Sequence, residues 1–580
     1  MTDRAAIADV LDEIGLLLEL AGENPFKSRA YASGARIVRG LDADLLELIR
    51  TKRLAQIKGI GPALADKIAT LVTTGKLPYL DSLRTQIPPG LLDWLRVPGL
   101  GPKKARVIHV TLGISTLDEL ESAAREGRLR DLGGFGGTTE QKILEGIERV
   151  RVHAGRFLRP VALGEAARLR ERVASAPGVL RAEIAGSVRR GTETSKDIDI
   201  VVAAADSGPV MEAFVSDPGV ASVAGRGPTK CSVRLAAGPG ADLRVVAGPA
   251  FAPALMYFTG SKAHNVALRG RAQRMGFTLN EYALTREADG TVVPCEDETA
   301  VYAALGLPYI PPELREDGGE IEAAERGTLP RLVELSDLAG TLHCHSTWSD
   351  GGHTIEQMAE AARAMGMGYL GLCDHSRSAA YAGGMSIERV AEQHAEIDRI
   401  NAAYAGAFRV LKGIEVDILV DGLLDYPDEV LARFELVVAS VHSRFNLSAA
   451  EQTARMIRAV ESPYVDIVGH PTGRLLLARD PYPLDLDAVI AAAAHRGVAI
   501  EINAHPSRLD LDPPALRRGL SLGMKTSVDP DAHSTDELAY VGYGIDTARR
   551  GWATREDVLN ARPLPDLLAW LSTRRARALA

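Results

Sequence analysis

Two aspartates one residue apart, Asp197 and Asp199, open the apolar run Asp-Ile-Asp-Ile-Val-Val. On a strand both carboxylates face one side, which is unfavourable unless cations neutralise them. Magnesium suits such hard oxygen ligands. A third carboxylate, Asp242, opens Asp-Leu-Arg-Val-Val, a second apolar run that could lie beside the first. Three carboxylates can hold two ions, the arrangement that lowers the pKa of a hydroxyl nucleophile and stabilises a pyrophosphate leaving group. Ser187, after Gly186, and Arg190 add phosphate donors just upstream. An Asp-x-Asp alone is more often a solvated strand edge, so the weight rests on this context.

A second set lies near the C-terminus. His343 and His345 flank Cys344 after an apolar run, and Asp350, His375, Glu415, His442, His470, Asp531 and His533 follow, nearly all at the ends of apolar strand-like segments. Nine nitrogen and oxygen donors, six of them histidine, can fill three metal sites. His-x-His on a strand turns both imidazoles to one side and Cys344 to the other. Lone histidines elsewhere, His109, His153, His394 and His495, read as satisfied polar residues.

Three turns share a hydrophobic-x-Gly-x-Gly pattern ahead of a helix. They carry Gly59 and Gly61, Gly99 and Gly101, and Gly134 and Gly136. Glycine lets backbone amides at a helix N-terminus approach a phosphate, which positions DNA without reading its sequence. Lys103 and Lys104 follow the second turn directly.

These residues need a scaffold of several domains, because 580 residues exceed what one core organises. Helical periodicity fills residues 1 to 150, mixed strand and helix patterns follow from Gly155, and repeated βα units after residue 339 predict a barrel with its donors at one mouth. Between Pro311 and Ala339 the chain is acidic and rich in Pro and Gly, which predicts a solvated connection and the main boundary. The hydrophobic fraction is 46% and the charged fraction 25%, as in soluble globular proteins. No apolar run is long enough for a membrane span, no signal peptide pattern opens the chain, and four scattered cysteines form no disulfide framework, so a cytoplasmic protein is expected. The net charge of -9 hides a basic N-terminal part, with 16 Lys or Arg against 12 Asp or Glu over residues 1 to 110.

Gly186 to Asp199, then Tyr257-Phe258-Thr259-Gly260-Ser261 through Asn265, then Gly276 to Tyr282, resembles the family X DNA polymerases in order and spacing, over roughly residues 1 to 315. The three Gly turns resemble helix-hairpin-helix motifs. The resemblance implies Asp197, Asp199 and Asp242 as ligands of two Mg²⁺ or Mn²⁺ ions, with Ser187 and Arg190 on the triphosphate. It also implies nucleotide contacts from Tyr257, Phe258, Gly260 and Asn265, a template contact from Arg269, and Lys67 at the position of the family's Schiff-base lysine for deoxyribose-phosphate lysis. Gly240 stands where animal members carry arginine.

The nine-donor set resembles the PHP (polymerase and histidinol phosphatase) domain, over residues 336 to 580, and its place behind a family X polymerase matches bacterial two-part enzymes. Implied are His343, His345, Glu415 and Asp531 on one metal, His442 and His470 with bridging Glu415 on a second, and Asp350, His375 and His533 on a third. The ions would be Mn²⁺, Zn²⁺ or Fe²⁺. Arg377 and Arg508 would hold substrate phosphate, and His505 stands where relatives often have asparagine. The expected fold is multidomain α/β: a helical helix-hairpin-helix region, a mixed α/β palm and thumb, and a distorted βα barrel.

The expected domains are a helical lyase-like domain at 1–85, fingers at 86–154, palm at 155–245, thumb at 246–315, a linker at 316–335 and the PHP domain at 336–580. The expected activity is gap-filling DNA synthesis with 3′–5′ exonuclease and 3′-end or abasic-site processing, on gapped or primer-template DNA with deoxynucleoside triphosphates, by a monomer. Two other readings compete: a nuclease whose palm only holds DNA, and a barrel that is a metal-stabilised structural module. The intact donor set argues against the second.

Overall fold

The structure, a computed structural model, describes residues 4–39, 41 and 45–579. It forms two compact units, Met1–Ala154 and Gly155–Ala580.

The first unit is helical, and its three Gly turns are built alike. Each closes with a backbone hydrogen bond, Ile60 N to Ile57 O, Leu100 N to Val97 O, and Phe135 N to Leu132 O, all near 3 Å. The residue between the glycines, Ile60, Leu100 or Phe135, is buried in the unit's core and anchors the turn. Gly59, Gly99 and Gly134 have positive φ, which glycine alone adopts without strain. Gly61, Gly101 and Gly136 then cap the helices Pro62–Thr74, Pro102–Leu112 and Gly137–Val152. A Cβ built on Gly61, Gly99, Gly101, Gly134 or Gly136 would meet no atom within 4 Å, so the side-chain face of each turn is clear.

In the second unit a five-stranded mixed sheet comes first. The strand Asp197–Ala204 lies between an antiparallel neighbour, Val179–Ala185, and a parallel one, Gly240–Val246. One face is buried under the helix Arg159–Ala174 and the other under Phe251–Thr259. That two-sided burial explains why the run Ile-Val-Val-Ala-Ala is apolar without alternation.

The last sheet along the chain is all parallel. Its seven strands, Gly340–Cys344, Tyr369–Leu372, Arg409–Asp417, Leu436–Ser440, Ile467–Val468, Ala499–Asn503 and Thr526–Asp529, pair in sequence order. A parallel bridge from Cys344 to Ala532 brings the last strand back to the first, so the barrel is nearly closed. Cys344 faces outward into an apolar cluster with Ile355 and Met358, as strand alternation required.

The expected solvated connection is overturned. Residues 311–339 pack between the thumb and the barrel: Arg315 is fully buried on Glu298, at 2.6 Å. Glu320 accepts a 2.6 Å hydrogen bond from buried His264, and Leu332 and Val333 join apolar cores. Glu313 and Glu320 found partners instead of water, and palm, thumb and barrel form one unit, with the break at Ala154.

Candidate active sites

The strand register places Asp199 directly beside Asp242, with Asp197 next to Gly240. Burial pushes the Asp199 carboxyl up to about 6, and the charges of Asp242 and Asp197 push the same way. Three carboxylates gathered on two adjacent strands, with Asp199 buried between the charges of the other two, are a site that a divalent cation fits. Asp242 accepts a 2.6 Å hydrogen bond from Ser232 Oγ and pairs with Lys230 Nζ at 2.9 Å, both from the adjacent strand. A Cβ at Gly240 would stand 2.9 Å from Asp197 Oδ1, so the glycine makes room for that carboxylate and Lys230 and Ser232 support Asp242. Gly186 is tighter still. At φ +64° its missing Cβ would stand 2.1 Å from Asp199 Oδ2.

Asp197 and Asp199 open on a cavity of about 600 Å³ lined also by Ser187, Arg190, Tyr257, Phe258, Gly260, Asn265 and Arg269, so every nucleotide-pocket residue expected from the sequence reaches one space, while Asp242 stands beside it on the neighbouring strand. Arg156, Lys196 and Lys262 line it too, three cations that sequence reading missed because nothing in their spacing marks them. Arg190 donates Nε to Glu316 at 2.9 Å and a terminal nitrogen to the Thr259 carbonyl at 2.6 Å. Asn265 donates to the Tyr257 carbonyl at 2.7 Å, and the Tyr257 and Phe258 rings meet edge to face.

The second site fills the barrel mouth, and all nine predicted donors reach it. Glu415 sits at its centre: His470 Nε2 and His442 Nε2 stand 3.0 and 3.2 Å from Oε1, and His375 Nδ1 and His343 Nε2 stand 2.9 and 3.5 Å from Oε2. His345 Nε2 lies 3.1 Å from Asp531 Oδ1, while Asp350 faces His533 at 3.3 Å and His375 at 3.6 Å. Three donor groups are close enough for one ion each: His345, Asp350, His375 and His533; His343, His345 and Glu415; and His375, Glu415 and His442. The grouping differs from the one implied by resemblance, since His345 and His375 each serve two groups.

Metal ions suit this set on a further observation. His343 Nε2, His375 Nδ1 and Glu415 Oε2 are buried with no hydrogen-bond partner, a costly state that coordination removes. Burial drives the His345 ring down to about 3, with the His533 and His375 charges acting alike, which keeps it a neutral ligand. Burial would raise Glu415, but the surrounding His442, His375 and His343 hold it well below the usual carboxylate range.

A supporting shell orients these donors, and sequence reading missed it. His343 Nδ1 lies 2.6 Å from Glu501 Oε1, His442 Nδ1 lies 2.8 Å from Asp417 Oδ1, and Asn503 donates to both Glu501 and Asp531. The available signal was strand alternation, which puts Glu501 and Asn503 on one face of Ala-Ile-Glu-Ile-Asn. Arg508 Nε lies 3.7 Å from Asp531, and Arg377 is exposed two residues after His375. His505 holds Ser507 at 2.8 Å, outside the three groups.

Elsewhere, His109 is satisfied by the Ile114 carbonyl at 2.6 Å, whereas buried His394 Nε2 has no partner, contrary to its expected role. Lys67 lies on the helix Pro62–Thr74, its Nζ 5.0 Å from the Tyr79 ring centre. No helix among the described residues is long and apolar enough to cross a membrane.

Comparisons with known proteins identify the domains and the family. Residues 2–77 match the helix-hairpin-helix domain, 91–149 the SAM-like helix-hairpin-helix tandem, 254–316 the DNA polymerase beta thumb and 341–505 the PHP domain. The DNA polymerase/3′-5′ exonuclease PolX of Bacillus subtilis (strain 168) is 37% identical over 567 residues, 97% of this chain and 98% of that one. DNA polymerase lambda of Rattus norvegicus is 28% identical over 295 residues, 45% of this chain and 48% of that one. A probable phosphatase of Acetivibrio thermocellus is 31% identical over 172 residues, 28% of this chain and 64% of that one. With its sites in one unit and a relative matched almost from end to end, this chain belongs to the bacterial family X DNA polymerases that carry a C-terminal PHP domain.

Proposed function

We propose that the chain is a DNA repair enzyme that adds deoxynucleotides to primer 3′ ends at short gaps and removes nucleotides from 3′ ends, abasic ends included, in its barrel. The observation that carries the first half is Asp199 beside Asp242 in register, at the mouth of a cavity ringed by cations. The second half rests on nine donors gathered at the barrel mouth, with Glu415 at the centre of five histidines.

In the palm, Asp197, Asp199 and Asp242 would hold two Mg²⁺ or Mn²⁺ ions. Ser187 and Arg190, helped by Lys196, would grip the triphosphate. Tyr257, Phe258 and Gly260 would border the sugar, Asn265 would touch the base, and Arg269 would meet the template strand. The primer 3′ oxygen attacks the α-phosphorus, a new phosphodiester forms, and the bond to pyrophosphate breaks. In the barrel, His343, His345, Asp350, His375, Glu415, His442, His470, Asp531 and His533 would hold up to three Mn²⁺, Zn²⁺ or Fe²⁺ ions, with Arg377 and Arg508 on the phosphate. Such ions supply Lewis acidity and a reactive water at neutral pH. Water oxygen bonds to the terminal phosphorus, and the bond to the preceding 3′ oxygen breaks.

The amides of the Gly turns, with Lys103 and Lys104, would hold the DNA backbone, and Lys67 would form a Schiff base with a 5′-deoxyribose phosphate. Residues 1–85 would be the lyase-like domain, 86–154 the fingers, 155–245 the palm, 246–315 the thumb and 336–580 the PHP domain, in a cytoplasmic monomer.

One gapped substrate tests both halves. Asp197→Ala with Asp199→Ala should abolish primer extension, a loss of at least roughly a thousandfold, and leave 3′-end degradation intact. Glu415→Ala should do the reverse and lower the metal content. A folded Glu415→Ala protein degrading at the wild-type rate would remove the barrel as nuclease, and an extending palm double variant would remove the polymerase.

A further inference from the structure

One exposed aromatic ring stands over the barrel site, and none of the assignments above uses it. Tyr381 is 72% exposed, yet its ring centre lies 6.2 Å from that of His375 and 6.3 Å from that of His442. Single exposed apolar residues are ordinary on protein surfaces, so exposure alone means little. The turn that presents this one is not ordinary. Its neighbours Ala379 and Ala382 are 1% and 3% exposed, and the Ser378 amide is tied to Asp425 at 2.8 Å. A Cβ at Gly384 would stand 2.0 Å from the Ser376 carbonyl, so the turn closes tightly behind the ring. Among the described residues, the Tyr381 hydroxyl makes no hydrogen bond. The backbone is thus pinned on both sides of a side chain held out at the mouth of a phosphodiester site.

A nucleotide whose phosphate lies over the histidines places its base one sugar away, in reach of a ring at the rim. Aromatic rings bind unpaired bases by stacking, which tolerates any sequence, as an enzyme that removes successive nucleotides requires. We propose that Tyr381 stacks on the base of the 3′-terminal nucleotide and so holds a single-stranded end in the barrel. This rests on the nuclease reading given above.

The test uses the full-length, metal-loaded protein and two single-stranded oligonucleotides, one ending in an ordinary nucleotide and one in an abasic residue. Tyr381→Ala should lower kcat/KM on the ordinary end by about ten- to a hundredfold, the range of one lost stacking contact. On the abasic end it should equal the wild type, and Tyr381→Phe should match the wild type on both. Melting temperature and metal content should not change, since the side chain is exposed. Equal losses on both ends, or an unchanged rate on the ordinary end, would overturn the stacking role. A wild-type protein that degrades neither end would instead remove the nuclease reading, and the stacking role with it.

Discussion

Glu193 offers the sharpest test of whether palm and barrel are held as one body. It lies on the palm turn between Arg190 and Asp197, and its carboxylate pairs with two barrel arginines, Arg550 at 2.8 Å and Arg474 at 3.4 Å. The three side chains are 20%, 14% and 13% exposed, so this is an interior cluster rather than a surface pair. Burial alone would raise the Glu193 carboxyl, but the Arg550 and Arg474 charges more than reverse that and leave it lowered. Removing one partner of a buried pair costs about 3–5 kcal/mol, and the residual exposure points to the lower end, about 3 kcal/mol for Glu193→Ala. At about 2.1 cal/mol/K of unfolding entropy per residue, a unit of roughly 400 residues loses about 1 °C in Tm per kcal/mol, so a drop of about 3 °C is expected. The pH dependence supplies a second readout. A lowered folded-state pKa gives stability that is present above the unfolded value, about 4.3, and lost as pH falls through the folded value. The Tm gap between wild type and Glu193→Gln should therefore be full at pH 7 and shrink below pH 4. Equal melting of both proteins across that range would refute the reasoning.

Other expectations follow from single contacts. Gly186→Ala should cut primer extension at least about a hundredfold while the 3′-end nuclease persists, because its Cβ would strike Asp199 Oδ2 and its φ is positive. Glu501→Gln keeps an acceptor near His343 Nδ1 but loses the charge, and should weaken metal binding to the barrel about tenfold, read by metal titration. Lys103→Ala with Lys104→Ala should lower DNA affinity by a similar factor on every sequence and reduce the slope of log affinity against log salt by about 1.8. Lys67→Ala should prevent borohydride trapping on a 5′-deoxyribose phosphate end; equal trapping would move the lyase role to another amine.

How much of this was legible beforehand depended on whether a signal was local. Asp197 and Asp199 announce themselves because strand alternation is local, and Asp242 because an apolar run follows it. The barrel donors were legible because parallel βα units put strand ends at one mouth. Their supporting shell was not. Glu501 holds His343 across 158 residues, and Asp417 holds His442 across 25, partnerships set by the barrel's closure rather than by spacing. Lys230 and Ser232, which support Asp242, were hidden for the same reason, since they act across an antiparallel pairing. Which donors stand close enough to share an ion depends on side-chain reach, which spacing does not encode, and His345 and His375 reach two groups each.

The stretch from Pro311 to Ala339 shows why composition misleads at a junction. Proline, glycine and acids read as solvent-facing only if the acids have nowhere else to go. Here each of three finds a partner supplied by a distant segment: Glu313 takes Arg549 at 2.7 Å, Glu316 takes Arg190 at 2.9 Å and Glu320 takes His264 at 2.6 Å. Buried polar groups tolerate burial only when satisfied, so the pairings of Glu313 and Glu320 are what allow the segment inside, while Glu316 pairs at its surface. They also tie it to the polymerase site, because the arginine that Glu316 holds lines the nucleotide cavity. Glu316 reaches Arg550 at 3.9 Å as well, and Arg550 holds Glu193. A triphosphate taken by Arg190 would therefore compete with Glu316 for the same guanidinium, and the stretch that reads as a passive connection helps to aim that residue.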